Sequence, residues 1–165
     1  MFREMRRKRQ ALAEEACIEV LRRNTSGVLA VSGDDNYPYA VPLSYVYDNG
    51  AVYFHCVKSG HKLDAIRACD KVSFCVTDQD LVVPAEYTTY FRSVILFGRA
   101  SVLVEENEIR SAIEKLAIKY YPEDSKENRD SAIGKEYKAL CMVKLQIEHM
   151  SGKEAIELVK ANSVK

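Results

Sequence analysis

The chain has 165 residues and no net charge, because 24 basic side chains are balanced by 24 acidic ones. Its length suits a single domain spanning residues 1–165, and 47% of its residues are apolar, which is enough for one buried core and too much for a disordered chain. A protein that binds nucleic acid by neutralising phosphates usually has an excess of basic residues, so nucleic-acid binding is disfavoured. The absence of net charge removes repulsion between copies and is compatible with an oligomer.

The cysteine usage and hydropathy indicate a cytoplasmic protein that does not enter a membrane. No apolar run approaches the roughly 18 residues of a membrane span. Residues 1–9 form a basic arm that is followed by acidic residues, which is not the pattern of a secretory leader. The cysteines are odd in number, stand among apolar neighbours and include no Cys-x-x-Cys pair, so we expect buried thiols in a reducing compartment. They are Cys17, Cys56, Cys69, Cys75 and Cys141.

The first elements in chain order are a helix and a block of strands. Apolar residues recur with helical spacing over residues 10–24, and an Asn-Thr-Ser-Gly sequence then ends the helix. Strand patterns with turn chemistry between them follow, including Asp48-Asn49-Gly50, which is typical of a hairpin. The predicted strands cover residues 28–31, 37–47, 51–56, 72–77, 90–104 and 140–147.

The remaining elements are helices and one polar segment. A short helix is predicted over residues 61–68, between the third and fourth strands, and a longer one over residues 107–121, ending at Pro122. Residues 122–134 are polar and are predicted to form a mobile loop, and a short helix follows Lys153. No βαβ alternation with a glycine-rich first turn occurs, which excludes a Rossmann domain. The pattern predicts a mainly β (α+β) fold, a six-stranded antiparallel closed or split barrel with flanking helices.

Side chains that can carry a positive charge occur at the N-terminal end of the helix over residues 61–68, which is the unfavourable end for cations. Lys58, His61 and Lys62 stand at its N-terminus, where the helix dipole is already positive. An anion would resolve this conflict, because free backbone N–H groups, the Ser59 hydroxyl and the ammonium groups could bind a phosphate next to the small Gly60. The alternative is a solvated turn whose lysines extend into water.

His55 lies on the strand that leads into this turn. Strand alternation places His55 and Tyr53 on one face and Phe54 and Cys56 on the other. A single histidine on a strand is usually structural, but its closeness to the predicted phosphate site makes His55 a candidate catalytic residue.

Two other strands have features of a binding site. Pro42 within the segment 39–45 removes a donor from the sheet and indicates an edge, a bulge or an interruption. Free backbone groups at such a place can bind the edge of a planar heterocycle, although an ordinary edge strand is equally compatible. Ser93 follows Arg92 at the polar start of an otherwise apolar strand, and Gly98 indicates a bend or a close backbone contact.

Other site classes have little support in the sequence. The three histidines lack metal-ligand spacing, so no metal site is predicted. No nucleophile elbow, Walker loop or Cys-His signature occurs. The basic arm is interpreted as a solvated extension rather than as a nucleic-acid contact.

Several segments, in this order and spacing, resemble a known family. They are Val41-Pro42-Leu43-Ser44-Tyr45, Tyr53-Phe54-His55, Gly60-His61-Lys62-Leu63, Arg92-Ser93-Val94, Phe97-Gly98-Arg99-Ala100 and Ser151-Gly152-Lys153-Glu154. With them the chain resembles the flavin-binding split-barrel proteins related to pyridoxamine 5′-phosphate oxidase, and among these the 5-nitroimidazole-resistance branch.

The resemblance implies a homodimer of six-stranded Greek-key split barrels, with flavin mononucleotide (FMN) bound in clefts at the dimer interface. It places the isoalloxazine ring along residues 41–44, the phosphate at the turn after residue 57, and His55 near the ring. Carried over to this chain, the cofactor-binding residues are Val41, Pro42, Leu43, Ser44, His55, Cys56, Val57, Lys58, Ser59, His61, Lys62 and Ser93.

The implied activity is reduction of a nitro group or of another small aromatic substrate by a flavin-dependent oxidoreductase. The vitamin B6 oxidases have a Ser-Arg-Lys cluster at the phosphate and an arginine-rich C-terminal signature, and neither occurs here. Three other functions stay open: a protein that binds or stores flavin or haem without turnover, an oxidase like pyridoxamine 5′-phosphate oxidase, and a pure interaction module. The sequence identifies neither the substrate nor the electron donor.

Overall fold

The computed structural model describes residues 2–163 and is built around one antiparallel sheet of seven strands. The strands are β1 (Ser26–Ser32), β2 (Pro38–Ser44), β3 (Val46–Asp48), β4 (Ala51–Val57), β5 (Lys71–Val83), β6 (Thr88–Val102) and β7 (Leu140–Glu154). The helices are α1 (Glu14–Arg23), α2 (His61–Ala68), α3 (Glu106–Tyr120), α4 (Lys126–Glu136) and α5 (Ile156–Ser163), with short 3₁₀ turns at Lys8–Gln10, Asp34–Asn36 and Pro84–Glu86.

The strand order is β2-β1-β5-β6-β7-β4-β3, so the sheet is open in its hydrogen bonding. Its two edge strands, β2 and β3, are separated in sequence by one residue, Tyr45. The same short stretch of chain therefore runs from one edge of the sheet to the other, and the sheet must curl until its edges are close together.

The prediction of six strands was wrong, because the segment 37–47 is two strands. The side chain of Tyr45 is fully buried, and its hydroxyl donates a hydrogen bond of 2.9 Å to the Leu21 carbonyl of α1. Its ring packs edge-on against Phe74, with 5.1 Å between the centroids. The inward anchoring of Tyr45 separates β2, which pairs with β1, from β3, which pairs with β4.

Two apolar clusters hold the helices against the sheet. The larger fills the concave face, where fully buried Phe54, Phe74 and Leu96 meet Leu21 of α1 and Leu63 of α2. The smaller joins Met142 of β7 to Ala112 of α3 on the other face. Among the cysteines, Cys17 and Cys141 are buried and the other three are half-buried, and all five are free thiols.

Two helix predictions need correction, and those for α2, for α3 and for the helix after Lys153 are confirmed. α2 has the predicted bounds, and α1 begins at Glu14 rather than at residue 10. The predicted loop 122–134 contains most of α4, which Ser125 caps by accepting a hydrogen bond of 3.1 Å from the Asn128 amide. α4 buries only Ile133, so its sequence lacks the apolar period that identifies a helix. No helix within residues 2–163 is long and apolar enough to cross a membrane.

The strand predicted to end at Thr77 continues to Val83 as β5. The register between β5 and β6 shifts between Thr77 and Gln79, and the side chain of the intervening Asp78 is only 7% exposed. The Asp78 carboxylate accepts hydrogen bonds from Arg23, Asn24 and Arg92. The strand therefore continues through Asp78, because ion pairs and a hydrogen bond stabilise its buried carboxylate.

Replacement of Asp78 by Asn is expected to lower the free energy of unfolding by about 2 kcal/mol at pH 7, because it leaves two guanidinium groups with weaker partners. Burial raises the pKa of Asp78, but the hydrogen bonds from Arg23 and Asn24 outweigh burial, and the net pKa is lowered. A carboxylate with a lowered pKa stabilises the folded state above the ordinary pKa of about 4 and loses this effect as the pH falls below it.

Urea unfolding of both proteins between pH 7 and pH 2.5 measures this effect. The difference between wild type and the Asn variant should shrink as the pH falls below about 4. An equal difference at both ends of the range would contradict the assignment.

Candidate functional site

The end of β4 presents the side chains predicted to surround a cofactor. Phe54 is buried in the larger cluster and Cys56 packs against it, whereas Tyr53 packs against the smaller cluster on the other face. His55 is exposed and lies opposite Met142 of β7. The predicted alternation is therefore confirmed, and the His55 imidazole is accessible from solvent.

The turn between β4 and α2 requires glycine. Gly60 has φ 130° and ψ 161°, a conformation that residues with a Cβ rarely adopt, and no atom lies within 4 Å of the position a Cβ would occupy. Its carbonyl accepts hydrogen bonds from the amides of Leu63 and Asp64, at 2.9 and 3.2 Å, which starts the helix. No side chain caps α2, and the N–H groups of His61 and Lys62 have no partner within residues 2–163.

The cations at this turn are largely uncompensated. In the part of the chain that the structure describes, neither Lys58 nor Lys62 forms an ion pair. The nearest carboxylate oxygen to His61 is Asp34 Oδ2, 3.7 Å from Nε2, and the Asp34 side chain is itself highly exposed. The start of α2 is therefore a site of positive potential that faces solvent.

β2 lies next to this turn and is an edge strand. It pairs only with β1, so of the three alternatives that Pro42 left open, an edge, a bulge or an interruption, the structure shows an edge. Val41 and Leu43 are half-buried against the core, whereas Pro42 and Ser44 are exposed. The ring of Tyr39 stacks on His61 with 4.2 Å between centroids, which ties β2 to the start of α2.

Ser93 does not join the other predicted site residues within one chain. Pro42, Val28, Cys75 and Ile95 form one row across β2, β1, β5 and β6, and Ser93 is two residues from Ile95 on the same face. Three strand spacings of about 4.8 Å separate β2 from β6, or about 14 Å across the sheet. The structure thus brings together residues 41–44 and 55–62 and leaves Ser93 apart.

The thiol of Cys56 is suited to packing rather than to nucleophilic chemistry. Burial raises its pKa to about 11, and the neighbouring thiol of Cys141, directly opposite on β7, contributes in the same direction. Cys56 is consequently protonated at neutral pH, so its thiol would contribute an uncharged surface to the site. Among residues 2–163 no cluster of three or more His, Cys, Asp or Glu side chains could hold a metal ion.

Two features of the site were not predicted from the sequence. Tyr39 and Asp34, both distant from His61 in sequence, contact its imidazole. Lys58 and Arg67 line a cavity of about 360 Å³ whose other walls are mainly apolar side chains of β6, β7 and α3. Both features join segments that are distant in sequence, so no local pattern could reveal them.

Comparisons with solved structures agree with this architecture. A candidate 5-nitroimidazole antibiotic resistance protein from Bacteroides thetaiotaomicron is 16% identical, with a TM-score of 0.72, over 87% of this chain and 86% of that one. A FAD-binding protein from Mesorhizobium loti is 24% identical, with a TM-score of 0.66, over 88% of this chain and 97% of that one. A FAD- and haem-binding protein from Mycobacterium smegmatis is 20% identical, with a TM-score of 0.72, over 89% of this chain and 73% of that one.

Sequence comparison identifies the family. Curated protein sequences give no significant match. The family model described as pyridoxamine 5′-phosphate oxidase matches residues 13–154, which include the sheet, helices α1 to α4 and the turn at Gly60. The chain belongs to the pyridoxamine 5′-phosphate oxidase family.

Proposed function

We propose that this protein binds FMN at the turn between β4 and α2 and acts as a flavin-dependent oxidoreductase that reduces a nitro group or another small aromatic substrate. The observation that carries the proposal is the uncompensated positive charge at the uncapped start of α2, next to an edge strand. Membership of the family supports a flavin as the ligand of such a site.

The residues at the turn suit a phosphate group. Lys58 and Lys62 offer ammonium groups without internal ion pairs, and the N–H groups of His61 and Lys62 are free within residues 2–163. The space beside Gly60, where a Cβ would meet no atom within 4 Å, leaves room for the oxygens. A dianionic phosphate would satisfy the amides and neutralise the charge together.

The residues on β2 and β4 suit a planar ring. The unpaired side of β2 offers backbone groups at residues 41–44, and Pro42 contributes no N–H there. His55 and Cys56 would flank the ring and the ribityl chain, with the Cys56 thiol neutral. Bound FMN supplies the electron or hydride transfer, and the exposed His55 imidazole would orient the substrate or donate a proton.

A homodimer would complete the site. Val28, Ile95 and Phe97 lie on the convex face of the sheet and are 38 to 40% exposed, which forms an apolar surface in a chain without net charge. Ser93 lies on this same face, three strands away from Pro42. The pairing of two copies through this face would bury the apolar surface and let Ser93 serve the site of the other copy.

A flavin-binding protein without turnover is the second candidate. The relatives described as FAD-binding support flavin binding rather than any particular reaction, and they make FAD the alternative cofactor. An anaerobic assay with a nitroaromatic substrate and a chemically reduced flavin separates the two functions. Stoichiometric oxidation of the flavin by the substrate supports an oxidoreductase, whereas a reduced flavin that stays inert supports a binding protein.

Replacement of His55 by Gln is expected to lower the reduction rate per bound flavin about a hundredfold, because positioned proton donors contribute at least this much. The matched control is His149→Gln, which changes another histidine on the sheet, far from the turn. Equal rates per bound flavin in both variants would remove His55 from the chemistry.

A further inference from the structure

A cavity lined by basic residues lies near the N-terminus, in a segment that precedes the proposed flavin residues. Four consecutive basic residues, Arg6 to Arg9, line a cavity of about 500 Å³ together with Gln10 and Ile156 of α5. A volume of this size is typical of small-ligand sites. The sequence indicated a solvated extension here, and the four basic side chains are indeed exposed, but they line one open cavity.

The backbone that presents these cations is fixed. The side chain of Gln10 is buried and donates a hydrogen bond of 3.0 Å to the Glu154 carbonyl. Ala11 forms an isolated bridge with Lys153, and the Leu12 amide donates to the Gly152 carbonyl at 3.0 Å. On the N-terminal side, Phe2 stacks on His149 with 4.6 Å between centroids. The backbone is therefore held on both sides of the basic residues, at Phe2 and at Gln10 to Leu12.

The charge in this cavity has little internal compensation. Within residues 2–163, neither Arg6 nor Arg9 has a carboxylate partner. Lys8 pairs with Glu4 at 2.7 Å, but both side chains are about four-fifths exposed, and such pairs contribute little. Arg7 makes one long contact of 3.5 Å to Gln10. In a chain without net charge, this is a concentrated excess of cations.

We propose that this cavity, lined by Arg6 to Arg9, Gln10 and Ile156, binds a small anion with several phosphate groups, such as the triphosphate of a nucleotide. Guanidinium groups bind phosphate oxygens in bidentate geometry, and a fixed backbone reduces the entropy lost on binding. The cations are confined to one turn around one cavity, whereas a nucleic-acid surface needs phosphate contacts spread along an extended face. The proposal does not depend on flavin binding.

Isothermal titration of the full chain with sodium tripolyphosphate, ATP and adenosine tests this proposal. The variant Arg6→Gln/Arg9→Gln removes two cations that have no internal partner. The control Lys135→Gln/Lys138→Gln removes the same charge from the region of α4, and neither lysine forms an ion pair within the described residues. Circular dichroism verifies that both variants are folded.

We expect tripolyphosphate and ATP to bind the wild-type chain, adenosine not to bind, and the Arg6/Arg9 variant to bind at least tenfold more weakly. The α4 control should change the affinity less than twofold. Absence of tripolyphosphate binding, or an equal loss in both variants, would overturn the proposal. Tighter binding of a 20-base-pair DNA than of ATP, abolished by the Arg6/Arg9 variant, would also overturn it in favour of a nucleic-acid surface.

Discussion

Replacement of His61 and Lys62 together by alanine is expected to release flavin from a chain that stays folded. Each substitution removes a hydrogen-bond donor beside the phosphate, and Lys62 also contributes an ammonium group, so the loss of both contacts should weaken FMN binding by about a hundredfold or more. Alanine is the best helix former, so α2 should keep its first turn. The ratio of flavin to protein after desalting, read from the absorption spectrum, measures the effect.

A matched control separates the loss of phosphate contacts from a general loss of positive charge. Lys160→Ala removes one lysine from α5, which follows the opposite end of β7 from Leu140, the partner of Val57, and should retain the wild-type flavin content. A His61/Lys62 variant that keeps its full flavin content would show that the phosphate lies elsewhere. Far-UV circular dichroism verifies that the loss of flavin is not a loss of fold.

Replacement of Gly98 by alanine is expected to cause a large loss of stability, about 3 kcal/mol in the free energy of unfolding. A Cβ at this position would lie 2.1 Å from the carbonyl oxygen of Gln146 and 2.9 Å from Leu145 Cδ2. The closest atom belongs to the backbone of β7, at a register shift between β6 and β7, so no side-chain rotation can relieve the clash. The central pair of strands must separate instead.

Gly134→Ala is the control for this substitution. Gly134 lies within α4, and nothing stands within 4 Å of a Cβ built there. The change should stabilise the chain by about 0.5 to 1 kcal/mol, because alanine has less conformational freedom to lose. Urea unfolding of both variants gives the comparison. Similar midpoints for Gly98→Ala and wild type would contradict the close approach of β6 and β7.

The sequence predicted the features of the site that depend on local chemistry. Alternation along β4 gave the faces of Phe54 and His55 correctly, because the period of a strand is fixed by its backbone. Pro42 indicated an edge, a bulge or an interruption because proline lacks the donor that a central strand needs, and the structure shows an edge. The bounds of α2 agreed because Gly60 allows a conformation at the helix start that few other residues can adopt.

The features that the sequence did not predict depend on tertiary contacts. The strand break at Tyr45 follows from its burial against Phe74 and its hydrogen bond to Leu21. The extension of β5 past Asp78 follows from arginines distant in sequence. α4 has one buried side chain, and its capping by Ser125 is a weaker signal than an apolar period. The separation of Ser93 from the other site residues follows from strand order, which no local pattern determines.

The absorption spectrum of the freshly purified protein, with mass analysis of any released cofactor, tests the central claim most directly. We expect a yellow protein with the absorption bands of a flavin, and a released ligand with the mass of FMN. A colourless protein that also takes up no flavin after incubation with excess FMN would contradict the account.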